Sequence, residues 1–543
     1  MKTFSLIFFF FISTVICNSQ VSQQWVQRYN GPGNQTDQVS DMAIDDSGNV
    51  YVTGLSSLSG VNYDYATIKY NSAGVQQWLQ RYNGAANGED AGRSIAVDKS
   101  GNVYVTGSSA GSSSGLDFLT IKYSPSGIEL WTQRFNGTAN GNDIAYSCAV
   151  DDSAYVYVAG GCLDSISGTN FTVIKYNSEG AQQWIKKYNG TGNSTDEVKA
   201  LFIDKQKNVY VTGNSIGTTS GDDYATIKYS QAGVELWAIR YNGTGNAADI
   251  PTGITASNSG NVYITGRSIG GGSLEDYATI KYNSSGVEQW VQRYNGPGNS
   301  TDYCNALIID TLENVYVTGT SKGSGGTEDF ATIKYNSAGA QQWLKRYEGV
   351  LYDYSHSIDL DAYGNIYITG ESAPGGPSIN YNYFTIKYNN SGTQQWTISY
   401  NGTGNSNDLG VAVAVNRNGD AVYVSGISRG SNFYDDYATI KYSSVTSLTN
   451  LNNQVPANFY LEQNYPNPFN PSTQIKFQIP ENGFVSLKVF DILGKEVSDL
   501  LNQNLNAGSY ILNWDAANHK SGIYFYKLIS DKYSETKKMI LLK

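Results

Sequence analysis

The chain has 543 residues, of which 58 are glycine, 43 are tyrosine, 11 are proline and 15% are charged. This composition favours short strands and tight turns over helices, and the length exceeds that of one compact core. The formal net charge of −11 argues against nucleic acid as a partner, because nucleic-acid binding needs a basic surface.

The N-terminus has the pattern of a secretory signal peptide. Lys2 precedes an apolar run that ends at Cys17 and is too short to span a bilayer, and the small residues Cys17 and Ser19 suit cleavage. Lipid attachment at Cys17 is the alternative, and the bulky Ile16 disfavours it. We therefore predict that residues 1–19 are a signal peptide and that the mature chain has no transmembrane segment. An odd number of cysteines, three, then remains.

A repeat of 53 residues follows, marked by eight versions of the phrase "NVYVTG". A fixed period near 50 residues is typical of solenoids, propellers and arrays. Each copy has four segments that alternate at period two and are joined by Gly-rich turns, which predicts four strands. One tryptophan marks each copy: Trp25, Trp78, Trp131, Trp184, Trp237, Trp290, Trp343 and Trp396.

Eight copies of four strands predict an all-β protein with an eight-bladed β-propeller over residues 20–442. The chain begins on a tryptophan strand and ends on an "IKY" strand, so Trp25 is expected to complete the last blade beside Ile440. This pairing would close the ring and remove an open sheet edge. The glycine of each phrase, such as Gly54, is expected to end its strand.

The composition changes after Tyr442. Residues 443–459 are predicted to be a polar linker, because their first part, "SSVTSLTNLNNQ", is uncharged. Residues 460–543 contain alternating segments with Gly turns and are predicted to form an Ig-like β-sandwich.

The repeated phrase "IAVDKSGNVYVTG", followed by "TIKY" and a tryptophan strand, resembles the SBBP-type β-propeller repeat of secreted bacterial proteins. The resemblance covers roughly residues 22–443. It implies a propeller and no defined chemistry. The family name implies seven blades, whereas this chain has eight copies.

The phrase "NYPNPFNPST" opens a tail that resembles the type A C-terminal sorting domain of the type IX secretion system of Bacteroidetes-like bacteria. The resemblance implies the type IX machinery as a partner, passage across the outer membrane, removal of the tail, and release or attachment to a surface glycolipid. An ordinary Ig-like accessory domain is the alternative. The matching residues are Tyr465, Pro466, Asn467, Pro468, Phe469, Asn470, Pro471, Val489, Asp491, Gly494, Trp514, Gly522, Tyr524, Lys537 and Lys538.

One aspartate recurs before the innermost strand of every copy. These carboxylates could ring one mouth of the central channel and hold a cation such as calcium, or sugar hydroxyls. The competing interpretation is that each one accepts backbone N–H groups and fixes its own loop, and strict repetition favours it. The residues are Asp37, Asp90, Asp143, Asp196, Asp249, Asp302, Asp353 and Asp408.

The repeat is least regular in blade 7, where "YEGVLYDYSHS" replaces the usual "YNGxGN" loop. Loops of the neighbouring blades carry cationic residues. We therefore predict a mixed-charge, tyrosine-rich ligand site over blades 5 to 8, suited to carbohydrate or to a protein. Its residues are Arg267, Lys322, Tyr352, His356, Glu371 and Arg429.

The sequence predicts no catalytic residue and no cofactor, with calcium left open. The propeller has a single histidine, His356, and the chain has no Walker loop, HExxH or CxxC motif. We expect a binding or scaffold protein, secreted or attached to the outer-membrane surface, that engages polysaccharide or protein. The alternatives are an extracellular polysaccharide-acting enzyme with a carboxylate pair on the propeller face, and a structural surface-layer role.

Overall fold

The computed structural model describes residues 20–543 except 61, 376–378, 446–447, 453–454, 517–518, 531 and 543. These residues form 40 strands and no helix, and hence no helix that could cross a membrane. The predicted signal peptide, residues 1–19, lies outside the described residues. Two compact units are present, one of Gln23–Ser443 and one that includes Ser444–Lys543.

The first unit is a propeller of eight four-stranded antiparallel sheets, which confirms the predicted fold and blade number. The strands of blades 1 to 4 are β2 (Asp37–Ile44), β3 (Val50–Ser57), β4 (Tyr63–Tyr70), β5 (Gln76–Tyr82); β6 (Asp90–Val97), β7 (Val103–Ala110), β8 (Leu116–Tyr123), β9 (Glu129–Phe135); β10 (Ile144–Val150), β11 (Val156–Asp164), β12 (Gly168–Tyr176), β13 (Gln182–Tyr188); and β14 (Asp196–Ile203), β15 (Val209–Ile216), β16 (Asp222–Tyr229), β17 (Glu235–Tyr241). Those of blades 5 to 8 are β18 (Asp249–Ala256), β19 (Val262–Ile269), β20 (Glu275–Tyr282), β21 (Glu288–Tyr294); β22 (Asp302–Ile309), β23 (Val315–Lys322), β24 (Glu328–Tyr335), β25 (Gln341–Tyr347); β26 (Asp353–Leu360), β27 (Ile366–Ser372), β28 (Asn382–Tyr388), β29 (Gln394–Tyr400); and β30 (Asp408–Val415), β31 (Ala421–Arg429), β32 (Asp435–Val445) with β1 (Gln20–Tyr29).

The first strands of the eight blades surround the central channel. Each contacts the first strand of the next blade, and β30 contacts β2, so the ring is closed. The last sheet has the order β1-β32-β31-β30, which confirms that the N-terminal strand completes blade 8. At the seam between β1 and β32, Arg28 Nη2 lies 2.7 Å from Asp436 Oδ2 and donates to the Ser428 carbonyl oxygen at 2.9 Å.

The tryptophans that mark the repeat join each blade to the next. Trp78 Nε1 donates to the carbonyl oxygen of Pro125, in the outer hairpin of the following blade, at 3.1 Å. The equivalent bond forms from every repeat tryptophan except Trp396. Trp396 faces blade 8, whose outer strands β32 and β1 come from opposite ends of the propeller segment and are not joined by a hairpin. Its Nε1 therefore has no hydrogen-bond partner.

Each first strand has a β-bulge near its start, beside a close approach of its backbone to the second strand. In β14 the pairing register shifts between Val198 and Ala200, so that Lys199 is left out of the ladder. The carbonyl oxygen of Glu197 then approaches Gly213 of the second strand, where a Cβ would lie 2.1 Å from it. The corresponding distance is 1.9–2.2 Å in all eight blades, so only glycine fits at this position.

The glycine does not end its strand, contrary to our expectation. Strand β3 continues past Gly54 to Ser57, and β15 continues past Gly213 to Ile216. The repeated phrase therefore carries its glycine because the bulged neighbour occupies the space of a side chain, and not because the chain leaves the sheet there.

The eight repeated aspartates are buried, with no exposed side-chain surface. Asp37 Oδ2 accepts a hydrogen bond from the backbone N–H of Gly31 at 2.6 Å, and all eight carboxylates accept the same bond at 2.5–2.8 Å. A ring of carboxylates open to the mouth of the channel is therefore wrong. Each aspartate holds the loop that leads into its blade.

The second unit is a β-sandwich with sheet orders β33-β38-β35-β34 and β37-β36-β39-β40. Trp514, Phe469 and Tyr526 lie in its core. Its strand β33 falls inside the predicted linker 443–459 and pairs with β38, so the linker prediction is wrong over this segment. The strands are β33 (Leu448–Asn452), β34 (Tyr460–Leu461), β35 (Ser472–Ile479), β36 (Gly483–Asp491), β37 (Glu496–Leu505), β38 (Gly508–Asp515), β39 (Gly522–Ser530) and β40 (Tyr533–Leu541).

The bulge contact predicts a large difference between two glycine variants. Gly213→Ala should lower the free energy of unfolding by about 1–3 kcal/mol, because the new methyl group overlaps a backbone carbonyl that cannot move independently. Gly272→Ala is the control, since a Cβ there meets no atom within 4 Å. Melting temperatures measured by calorimetry should separate the two variants, and equal values would contradict the role of the bulge.

Because burial raises the pKa of several aspartates, we predict that the free energy of unfolding of the propeller is higher in mild acid than above neutral pH. Burial raises the pKa of Asp37, Asp41 and Asp359 to about 6, against the effect of the hydrogen bonds that these carboxylates accept. Because the unfolded value is about 3.9, the stability from these groups is full below that pH and is lost as the pH rises through about 6.

The melting temperature should therefore be higher at about pH 5 than at about pH 7.5. Asp41→Asn should reduce this dependence, and Asp46→Asn, in an exposed turn, should leave it unchanged. A melting temperature that stays constant or rises over this interval would contradict the assignment.

Candidate functional site

A cavity of about 440 Å³ opens on the channel side of blades 4 to 7. It is formed by the first strands β14, β18, β22 and β26 and by the second strands β19 and β23, so it brings together residues from four consecutive copies of the repeat. Its lining residues are Lys199, Ile250, Pro251, Thr252, Arg267, Tyr303, Cys304, Asn305, Thr320, Tyr354 and His356.

The residues of the predicted ligand site are only partly brought together. Arg267 and His356 line the cavity, and Glu371 lies beside His356. The other three do not line it. They are Lys322, Tyr352 and Arg429, the last paired with Asp435 at 2.9 Å.

Five of the predicted residues are strand residues and not loop residues as expected. Arg267 lies within β19, His356 within β26 and Glu371 within β27. Lys322 and Arg429 end β23 and β31. The second strand of each blade is longer than the sequence suggested, because it continues past its glycine.

One wall of the cavity combines an aromatic ring with a fixed cation. The guanidinium carbon of Arg267 lies 5.1 Å from the centre of the Tyr303 ring, within the range of cation–π contacts. Arg267 Nε is also 3.3 Å from Glu275 Oε1. Burial, reinforced by the charge of Glu275, raises the pKa of Tyr303.

The opposite wall contains polar atoms without partners. His356 Nε2 and Glu371 Oε2 are 3.7 Å apart, beyond hydrogen-bond distance, and both atoms are buried with no hydrogen-bond partner. Glu371 has only 7% of its surface exposed. Beside them the Tyr354 hydroxyl donates to Glu328 Oε2. Such unpartnered buried polar groups cost folding free energy.

The floor of the cavity is chemically inert. Burial raises the pKa of the Cys304 thiol to about 12, and the Thr265 hydroxyl donates to its sulfur at 3.0 Å. Cys148, Cys162 and Cys304 are all buried free cysteines. In the described part of the chain, no group of three or more His, Cys, Asp or Glu residues is arranged to hold a metal ion.

The bulge residues form a ring on the channel wall, one from each blade, and all eight are half-buried. Four of them line the cavity. Sequence reasoning named His356 among them but missed the other bulge residues, together with Tyr303 and Tyr354, although a comparison of the eight copies shows that the residue type at these positions changes from blade to blade. The bulge residues are Ser40, Arg93, Tyr146, Lys199, Thr252, Asn305, His356 and Val411.

The sorting motif is anchored to the last strand of the sandwich. Phe469 is 2% exposed and its backbone N–H donates to the Ile540 carbonyl oxygen at 3.0 Å, while Asn467 Oδ1 accepts from the Ile540 N–H at 2.9 Å. Tyr465, by contrast, has 79% of its surface exposed. Gly494 adopts φ +78° in the turn between β36 and β37, where glycine is favoured.

Two family models match the chain. The model described as a secretion system C-terminal sorting domain matches residues 463–542. The SBBP model, described as a beta-propeller repeat, matches residues 24–57, 77–113, 289–326 and 342–373. Both resemblances noted in the sequence are thereby confirmed.

Matches to whole proteins are more distant. An uncharacterized WD repeat-containing protein of Acanthamoeba polyphaga mimivirus is 26% identical over 473 residues, which cover 74% of this chain and 30% of that protein. The chain thus spans less than a third of that relative.

Solved structures match at low similarity. Drosophila Plexin A in complex with Semaphorin 1b has a TM-score of 0.39 and 9% identity, covering 78% of this chain and 88% of that one. A fungal alcohol oxidase in complex with copper has a TM-score of 0.39 and 10% identity, covering 97% and 100%. An alpha-L-arabinofuranosidase of Fusarium graminearum with arabinobiose has a TM-score of 0.35 and 10% identity, covering 64% and 91%.

Taken with the geometry, the matched models identify the chain as a β-propeller of SBBP-type repeats joined to a secretion system C-terminal sorting domain.

Proposed function

We propose that the protein is an exported, non-enzymatic binding protein whose propeller holds a carbohydrate in the cavity of blades 4 to 7. The observation that carries this proposal is the convergence of two tyrosines with Arg267, Asn305 and His356 around one cavity. Its volume of about 440 Å³ lies within the usual range for small-ligand sites.

Carbohydrate suits these groups because a sugar has an apolar C–H face and a rim of hydroxyl groups. The rings of Tyr303 and Tyr354 offer apolar surface with a hydroxyl at the end. The His356 side chain, which is 35% exposed, and the Asn305 amide offer hydrogen-bonding groups to the sugar hydroxyls.

The charges of the cavity support a ligand that is mainly hydrogen-bonded. Lys199 Nζ lies 2.7 Å from Glu197 Oε2, and Arg267 pairs with Glu275, so both cations are already compensated. The enzyme alternative requires two carboxyl groups about 5–9.5 Å apart acting on one bond. Glu275 and Glu328 instead hold Arg267 and Tyr354 in place, which favours a binding role.

The test is binding of the purified full-length protein to a glycan array and to insoluble polysaccharides, with calcium and with a chelator. Tyr303→Ala and His356→Ala should each weaken binding by about 1 kcal/mol or more, roughly fivefold in Kd. Tyr352→Ala is the matched control, because this neighbouring tyrosine does not line the cavity.

The result also separates the alternatives. Binding that Tyr303→Ala and His356→Ala do not change would contradict the site. Absence of binding would favour a protein partner or a surface-layer role, and release of oligosaccharide would favour an enzyme. A calcium requirement would add a cation to the site.

The sorting domain indicates export through the type IX secretion system, and we propose that this domain alone supplies the export signal beyond the inner membrane. Deletion of residues 460–543 should keep the propeller inside the cell envelope. Immunoblots of envelope, surface and medium fractions measure this, and they also distinguish a released protein from an attached one.

A reporter protein with a signal peptide, fused to residues 460–543, is the control and should reach the surface or the medium. Normal surface display of the truncated propeller would contradict the sorting role.

A further inference from the structure

Nine of the eleven residues that line the cavity occupy only three positions of the repeat. These are the second residue of the first strand, the fourth or bulge residue, and the residue after the glycine of the second strand. In blade 6 they are Tyr303, Asn305 and Thr320. We call them the reading positions, and every blade has all three.

The reading positions vary more than the residues that flank the bulge. The eight bulge residues are all different, whereas the residues on either side of the bulge are mostly small in every copy. A bulge residue is left out of the hydrogen-bonded ladder and its side chain is re-aimed. Its identity is therefore not constrained by the pairing of the two strands.

We propose that the reading positions form one recognition surface in all eight blades, and that this surface extends from the cavity to Arg93 and Tyr146 on blades 2 and 3. The inference rests on the proposed function and deepens it: the ligand is an extended oligosaccharide, and the part that reaches blades 2 and 3 bears a carboxylate.

Contacts on the channel wall connect the two regions. The guanidinium carbon of Arg93 lies 5.5 Å from the centre of the Tyr146 ring. Tyr146 interacts in turn with Glu197, and Glu197 pairs with Lys199, which lines the cavity. A continuous row of polar and aromatic side chains thus leads from blade 2 into the site.

The unpaired positive charge of Arg93 indicates the chemical class of the ligand. Lys199 and Arg267 are each paired with a glutamate, whereas Arg93 takes part in no ion pair among the described residues, and its Nε has no hydrogen-bond partner. A guanidinium stacked on an aromatic ring presents its N–H groups to a planar, bidentate partner, and a carboxylate matches it. Uronic-acid units in an oligosaccharide provide such a group.

The experiment uses the full-length protein and an array of neutral and uronic-acid-containing oligosaccharides. Arg93→Ser and Tyr146→Ser place at these bulges the residue that blade 1 already has, Ser40, so the fold should accept them. Each should weaken binding of acidic oligosaccharides roughly three- to tenfold and shift the preference towards neutral ones, with an unchanged melting temperature. Gln183→Ser, exposed on the outer strand β13, is the control and should change neither.

The outcomes separate this inference from the proposed function. A bound oligosaccharide that is sensitive to Tyr303→Ala but insensitive to Arg93→Ser and Tyr146→Ser would overturn the inference alone. An array without any binding would overturn both. A fall in melting temperature of several degrees in the serine variants would show that Arg93 and Tyr146 serve the fold, and would also overturn the inference.

Discussion

The close approach between a bulged inner strand and the glycine of its neighbour is the constraint on which the propeller depends. The carbonyl oxygen before each bulge occupies the place of a side chain, which explains a glycine at positions such as Gly54 and Gly213 in every blade. The same bulge turns one residue per blade out of the ladder and onto the channel wall. One backbone feature thus accounts for an invariant residue of the repeat and for a position that differs in all eight copies.

Much of the fold could be predicted from the sequence, because its signals are local. The tryptophan period follows from a hydrogen bond between seven of the eight indoles and the next blade. The alternating segments follow from the two faces of a strand. The site could not be predicted to the same extent. Lys199 and His356 line one cavity only because the ring brings distant copies of the repeat together. A bulge of one residue also moves the following side chains to the other face of the strand, and the hydrophobic pattern does not reveal it.

The aspartates show where sequence reasoning left two interpretations open. On spacing alone, a repeated acidic residue next to the channel is equally consistent with a ring of cation ligands and with a side chain that hydrogen-bonds to its own loop. Burial separates the two, because a carboxylate such as Asp37, enclosed by its own loop, is not accessible to a ligand in the channel. Strict repetition at buried positions and free variation at half-buried ones thus divide the repeat into residues that build the blade and residues that are available for recognition.

The seam between β1 and β32 has a consequence for the order of folding. Arg28 contacts Asp436 across 408 residues of chain, so the final blade depends on pairing of very high contact order. The other seven blades each need only one continuous segment of the repeat. Closure of the ring is therefore possible only after the whole propeller, up to β32, has been synthesised. The sorting domain follows β32 in the sequence. A chain that stops early has neither a closed ring nor a sorting domain, so completion of the fold and possession of the export signal are coupled by the order of segments.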